Sequence, residues 1–267
     1  RNHVAGNAFD FVNSKGERIH KFGPHLLHGS DTSVAIKWLS RFTDWIPYEH
    51  RVRALLPSGC QTTPLPVNAS TLEDIFNISF SSESEVCAFL ERLQHKCIVQ
   101  NADDLFISTV GEKLADLFFR PYTKKMWGIP ATEIEAAVGN RLPVRSNRDD
   151  RYFTDSFQAL PANGYTECVK NILEHENISI CLTANFDKLM LKDYRHAFLC
   201  VPVDEYFDFQ FGRLPYRSIR FENRSQRINL EVPTINFTDS CKYTRRTQGG
   251  LLPNSDTAHD MEHTVTY

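Results

Sequence analysis

No apolar run in the 267-residue chain approaches the roughly 18 residues of a membrane-crossing helix, and the longest, around residues 197–203, reads as a buried strand. No Cys-x-x-Cys pair occurs among the seven cysteines (Cys60, Cys87, Cys97, Cys168, Cys181, Cys200 and Cys241). Their odd count and wide spacing point to reduced thiols in a cytoplasmic protein. No charge of one sign dominates: 30 Lys and Arg face 33 Asp and Glu, a net −3, which excludes non-specific nucleic-acid binding through a basic footprint. Internal repeats and low-complexity tracts are missing as well. With 41% hydrophobic and 24% charged residues, the composition is that of a folded globular chain, long enough to bury a core without a disulfide or metal staple. The N-x-S/T sequons at Asn68, Asn77, Asn177, Asn223 and Asn236 read as chance matches. The sequence opens at Arg1, without methionine, in a tight loop, and stops at Tyr267 after a strand-like stretch at 263–267. The expectation is a piece of a longer polypeptide.

What is present is organised in three parts. Residues 1–35, rich in Gly, His and Pro, read as loops around short strands. Residues 45–56 and 62–67 are strand-like and suggest a hairpin joined near Pro57-Ser58-Gly59. From 70 to 140 the pattern turns helical. Ser70-Thr71-Leu72-Glu73 and Ser82-Glu83-Ser84-Glu85 are capping boxes, and Val86, Phe89, Leu90 and Leu93 form one apolar stripe. A third helix turns Ile107, Val110, Leu114, Leu117 and Phe118 inward and is limited by Pro121; a fourth covers about 132–138. Residues 164–175 read as a helix, followed by strand candidates at 178–182 and 196–201, an α/β layer. Alternation at 218–222 and 228–232, around a turn at 223–226, predicts an antiparallel hairpin. The fold class is mixed α/β with a helical insertion.

Four segments are denser in functional residue types than a core needs. Gly23-Pro24-His25-Leu26-Leu27-His28-Gly29 spaces two histidines three apart, but no carboxylate or cysteine cluster completes a metal site, and hydrogen bonding to backbone is the simpler use. The segment from Phe118 to Gly128 sets aromatics beside Arg120, Lys124 and Lys125, either to stack a base near phosphate or as an ordinary helix end. Arg145, Arg148 and Arg151 alternate with Asp149 and Asp150, either to grip a diphosphate or as a surface ion-pair cluster. Arg245 and Arg246, on a predicted strand, need an anionic partner. Together the four suggest a nucleotide-sugar or phosphate ligand.

In order, the GGN-like first loop, GPHxxH (23–28), FFxxYTxxxWG (118–128), LPVRxNxDDxYF (142–153), FQxLPxxGYT (157–166), LPYRS (214–218) and NFTDxxxYTR (236–245) resemble the bacterial UDP-galactopyranose mutases over most of the chain. The resemblance implies a partial Rossmann-like FAD domain (1–40 and 164–212), an inserted helical substrate-binding domain (70–150) and a twisted antiparallel sheet (41–69, 151–163 and 213–267). It implies an isomerase that interconverts UDP-galactopyranose and UDP-galactofuranose for cell-surface galactofuranose glycans, through a covalent adduct of the sugar with reduced FAD. The partners would be these UDP-sugars, and family members are often dimeric; no metal is implied.

Residue by residue, the resemblance makes Arg145 and Arg245 the diphosphate-binding arginines, and Tyr122 the uracil-stacking aromatic with Phe118, Phe119 and Thr123 nearby. Trp127 would lie beside the sugar, Asn68 in the substrate pocket and His28 against the flavin ring. Arg1, Gly6, Asn7, His25 and His28 would contact FAD, with Arg145, Arg245 and His28 counted as catalytic. The sequence departs from the family pattern at Ala5 and Val201, where glycines are expected, at Met126 for glutamine and at Gln248 for glutamate. The family's N-terminal GxGxxG segment and its C-terminal tyrosines are not in this sequence. The alternative expectation is therefore a diverged or truncated UDP-sugar-binding domain without flavin chemistry.

Overall fold

A computed structural model describes residues 1–56, 59, 61–139, 143–185, 187–225, 228, 230–255 and 262–267. An antiparallel ribbon, β1 (Asp10–Val12) and β2 (Arg18–His20), is followed by β3 (Leu27–Gly29) and α1 (Val34–Leu39). Strands β4 (Trp45–Pro47), β5 (Val52–Leu55) and β6 (Thr62–Leu65) lead into the helical layer. That layer comprises α2 (Ala69–Phe76), α3 (Glu83–Leu93), α4 (Ala102–Val110), one turn of α5 (Glu112–Leu114), a π-helical turn (Ala115–Phe119), α6 (Arg120–Trp127) and the short α7 (Ala136–Gly139). The chain returns through β7 (Phe157–Pro161), α8 (Gly164–Leu173) and α9 (Val203–Tyr206). Strands β8 (Phe221–Ser225), β9 (Thr234–Phe237), β10 (Arg245–Gln248) and β11 (Glu262–Thr266) follow.

A six-stranded sheet in the order β6-β5-β9-β10-β11-β8 forms the main layer, antiparallel throughout except for the parallel β5–β9 pair. A second, three-stranded sheet has the order β3-β7-β4. Residues 45–56 are thus two strands in two sheets, with β5 and β6 forming the expected hairpin; Pro57 and Ser58 of its turn lie outside the described residues. Apolar side chains of β5 and β6 pack on α2, α3 and the α4–α5 region, with Ala54, Leu72 and Leu114 fully buried. Burying each leucine contributes about 1.5–3 kcal/mol.

The helix starts follow their caps. Ser82 caps α3 through the Glu85 amide, as expected. The cap of α2 is Asn68, whose carboxamide accepts from the Thr71 amide while Thr71 Oγ1 accepts from the Asn68 amide, so the box sits two residues before Ser70. The expected third helix is broken at Gly111 (φ 80°), where a Cβ would lie 2.2 Å from the Leu93 carbonyl oxygen. Pro121 does not limit the helix: it enters the first turn of α6, where its missing N–H is tolerated, after the π turn has shifted the register.

Two other expectations are corrected. Residues 178–182 and 196–201 form no strands, and Ile178, Ile180, Leu182, Phe198 and Val201 are exposed. Among the described residues no strand lies beside them to take their backbone hydrogen bonds, and an extended segment without a neighbour is not a sheet. The hairpin of 218–222 with 228–232 is not made either. Asn223 lies inside β8, which pairs with β11 instead, from Phe221 opposite Thr266 to Ser225 opposite Glu262. Gln226 and Asn229 fall outside the described residues.

Candidate functional site

The site begins with register. On β9 and β10, Asn236 stands opposite Arg245 and Thr234 opposite Thr247, while β5 sets Ala54 beside Asn236 and Val52 beside Thr234. Because strand side chains alternate, Thr234, Asn236 and Arg245 share one face, and Ile235 and Arg246 take the other. The π turn and α6 supply the opposing wall. Phe118, Phe119, Tyr122, Thr123, Met126 and Trp127 fall at helical spacing on one side, with Phe118 buried and Trp127 39% exposed. Between the walls is a cleft of about 820 Å³, partly open to solvent, which these six line together with Phe106, Tyr152, Asn236 and Arg245 among others. Its size and mixed lining suit an organic ligand. A second cavity, of about 500 Å³, is lined by Pro24, Leu26, His50, Phe153 and Thr234 and shares Tyr152, Asn236 and Arg245 with the first. The two meet at Arg245.

Arg245 Nη2 donates to the Tyr122 phenol oxygen at 3.0 Å. Burial opposes the arginine's charge, but the Tyr122 and Tyr152 oxygens outweigh it and hold the guanidinium above its ordinary value. His50, buried on the same cavity, is pushed down to about 4, first by desolvation and then by Arg245. It is therefore neutral near pH 7, with Nδ1 3.0 Å from the Tyr48 hydroxyl. Thr234 Oγ1 and Asn236 Oδ1 are buried without a protein partner, leaving a hydroxyl and a carbonyl for a polar ligand.

Of the residues singled out in the sequence, Phe118, Phe119, Tyr122, Thr123, Trp127 and Arg245 are brought together in the cleft. His28 reaches it through an aromatic chain. Its ring stacks on Phe153 (3.7 Å, 14°) and its Nδ1 lies 2.9 Å from Asp155 Oδ2, while Phe153 meets Tyr152 edge-on at 5.0 Å. Arg145 is not among the lining residues. Its Nη1 donates to the Asp149 and Arg151 carbonyls, holding its own loop, and its buried Nη2 has no partner. Arg141, from the same segment, lies outside the described residues. Asn68 is fully buried, caps α2 and donates to the Asp149 carbonyl, and it is not among the residues that line the cleft.

His25 Nδ1 lies 3.0 Å from the Gly23 carbonyl oxygen, and its ring meets Tyr165 edge-on. Among the described residues no three His, Cys, Asp or Glu side chains gather as a metal site requires, and no helix is long and apolar enough to cross a membrane. Met126 lines the cleft, whereas Gln248 is buried and accepts from the Leu230 amide. Thr234, Asn236, His50, Tyr152 and Phe153 line the site without having been marked by residue type or spacing in the sequence. For Asn236, Tyr152 and Phe153 the signal available to find them was their place within NFTDxxxYTR and LPVRxNxDDxYF.

The first loop leaves open space beside its backbone. Ala5 and Gly6 both have positive φ (66° and 53°), a Cβ on Gly6 would meet nothing within 4 Å, and Arg1 Nη2 bonds Asn7 Oδ1 at 2.8 Å. This open turn and the half-exposed His28 ring, backed by Phe153, fit the edge of a large planar cofactor.

The fold is shared with a solved mutase: a crystal structure of reduced UDP-galactopyranose mutase matches all of this chain and 67% of its own length, with a TM-score of 0.64 at 16% identity. The UDP-galactopyranose mutase family profile matches residues 117–265, more than half of the chain, and the chain belongs to that family. A probable UDP-galactopyranose mutase of Klebsiella pneumoniae is 35% identical over 225 residues, covering 83% of this chain and 58% of the relative. A dTDP-fucopyranose mutase of Escherichia coli is 33% identical over 230 residues, covering 83% and 60%. The chain thus spans about 60% of the length of these relatives.

Proposed function

We propose that this chain carries the nucleotide-sugar site of a mutase that interconverts UDP-galactopyranose and UDP-galactofuranose in the cytoplasm. The observation that carries the reading is the Tyr122–Arg245 contact at the junction of the two cavities. Uracil stacks against Tyr122 with Phe118, Phe119 and Thr123 beside it, and the diphosphate lies at Arg245. Arg145, behind the lining, acts through the loop it holds by the Asp149 and Arg151 carbonyls, which carries Tyr152 and Phe153 to the cleft. The sugar extends past Trp127 toward the cavity lined by His50, Phe153 and Thr234.

Breaking the anomeric C–O bond builds negative charge on the departing diphosphate. A guanidinium already held charged and oriented stabilises that charge more than the ground state. His50, neutral beside Arg245, adds no competing cation. Arg1, Gly6, Asn7, His25 and His28 are the residues proposed to hold FAD, with His28 fixed by Asp155 and Phe153. Bound and reduced, FAD supplies the nucleophile for the anomeric carbon.

Calorimetric titration of the chain with UDP, UMP and uridine tests the reading. UDP is expected to bind at least tenfold more tightly than uridine, since a charge-assisted diphosphate contact is worth about 1.5–3 kcal/mol. Equal affinities, or none, would remove the diphosphate from Arg245. Retention of a flavin absorption band after FAD incubation and desalting separates the mutase from a binding domain without flavin chemistry.

A further inference from the structure

The helix that carries Tyr122 also holds a largely buried lysine which no role described so far uses. Lys125 is only 15% exposed, and its Nζ donates to the main-chain carbonyls of Phe237 (2.6 Å) and Tyr243 (2.8 Å). Asp239 Oδ1 lies at 3.6 Å and Cys241 Sγ at 3.9 Å. Phe237 ends β9 and Tyr243 lies two residues before β10, so one ammonium closes both ends of the connection between these strands. An ammonium has three donors and no acceptor, which suits two carbonyls and a carboxylate. Asn236 immediately precedes one anchor, and Arg245 follows the other by two residues. On its own helix, Lys125 stands three residues after Tyr122 and two before Trp127. Lys124 beside it is exposed.

We propose that Lys125 is a positioning residue of the cleft: it clamps α6 onto the β9–β10 connection and so sets the Tyr122–Arg245 contact. An ordinary surface lysine would leave α6 and the connection free to shift against each other. A displacement of this kind at a distance from the ligand is enough to lower affinity, because both the stacking and the diphosphate contacts must be made together. The role of the clamp in binding rests on the reading of the cleft as a UDP site; the clamp itself does not.

The test uses the whole chain with Lys125→Met, Lys125→Arg and Lys124→Met, each titrated with UDP. Lys125→Met is expected to weaken UDP by about tenfold, the equivalent of one lost charge-assisted contact. Lys125→Arg, which keeps a multiple donor, restores most of the affinity, and Lys124→Met leaves it unchanged. In an Arg245→Ala background Lys125→Met adds less than twofold, because the residue acts through Arg245. Wild-type affinity in Lys125→Met, or a full additional loss on Arg245→Ala, overturns the inference. If the wild-type chain takes no UDP, it is the UDP-site reading that fails, and amide hydrogen exchange then decides on the clamp. Lys125→Met is expected to speed exchange in both 120–127 and 237–244 and to leave α8 protected. Unchanged exchange in those two segments overturns the clamp. Should Lys125→Met fail to fold, with α8 unprotected, Lys125→Gln replaces it in both measurements.

Discussion

Tyr122 and Arg245 are 123 residues apart in sequence, and their side chains meet at 3.0 Å, guanidinium nitrogen to phenol oxygen. The contact joins the helical wall of the cleft to its sheet floor, so each residue has two jobs to separate. Tyr122→Phe keeps the stacking ring and loses the hydrogen bond; we expect about a threefold weaker UDP complex, near the lower end of a net hydrogen-bond contribution. Arg245→Ala removes the charge and should weaken UDP by about 10–100-fold, with little change for uridine. Equal losses for both ligands would show that Arg245 merely supports the wall. Arg145→Ala is likewise expected to reduce UDP affinity and turnover far more than Lys124→Ala.

Asn68 separates a substrate contact from a structural one. Its carboxamide accepts from the Thr71 amide and donates to the Asp149 carbonyl, linking α2 to the loop that carries Arg145. Asn68→Ala should therefore cost about 1–2 kcal/mol of stability as a lost cap. Any change in UDP affinity should be small beside that of Arg245→Ala. Urea unfolding and titration on the same variant check both. A large loss of affinity at unchanged stability would return Asn68 to the binding pocket.

How much of this was legible follows from which interactions are local. The stripe from Val86 to Leu93 and the Ser82 cap depend on residues within one or two helical turns, and both are found where the pattern put them. The aromatic wall from Phe118 to Trp127 was legible for the same reason: a helix places these positions on one side whatever it packs against. Pro121 misled because the π turn that accommodates it has no signature in local propensity. Asn236 and Thr234 join Arg245 only through the β9–β10 register, and His50 joins them from beside β5, so nothing local marks Thr234 or His50, and Asn236 is marked only as the first residue of NFTDxxxYTR. At 178–182 and 196–201 the apolar composition was that of strands, but strand pairing is a property of neighbours, and among the described residues there are none.

Two buried histidines set an acid limit on stability. His20 and His50 are both pushed down to about 4, chiefly by desolvation; Asp10 partly offsets this at His20, where His25 and Arg18 add to it, and Arg245 adds to it at His50. Unfolded, each takes its proton near 6.5; folded, only near 4. Between these values the unfolded chain binds more protons, so stability falls as pH drops from about 6.5 toward 4. The slope reaches about 1.4 kcal/mol per pH unit for each histidine. Urea midpoints at a series of pH values, for the wild type and for His50→Gln, measure it. His50→Gln should flatten the profile; an identical slope would mean that His50 does not titrate in this way.

The glycine of FQxLPxxGYT is explained by a residue far away in sequence. Gly164 opens α8 with φ 84°, and a Cβ there would lie 2.3 Å from both Asp10 Oδ2 and Arg18 Nη1. Asp10, its side chain fully buried, accepts from the Tyr165 and Thr166 amides at 3.0 and 2.8 Å and faces Arg18 at 3.6 Å. One carboxylate thus satisfies the N-terminus of α8 and balances an arginine, which ties the β1–β2 ribbon to that helix. Gly164→Ala would combine a strained backbone with a clash against a carboxylate that two amides hold in place, and should cost about 3 kcal/mol. Asp10→Ala leaves Arg18 and the helix start without their partner and should cost about 3–5 kcal/mol. Because both changes dismantle the same junction, the double variant should lose clearly less than the sum of the two. Urea unfolding of the three variants measures this, and strict additivity would show that Gly164 and Asp10 stabilise the fold independently.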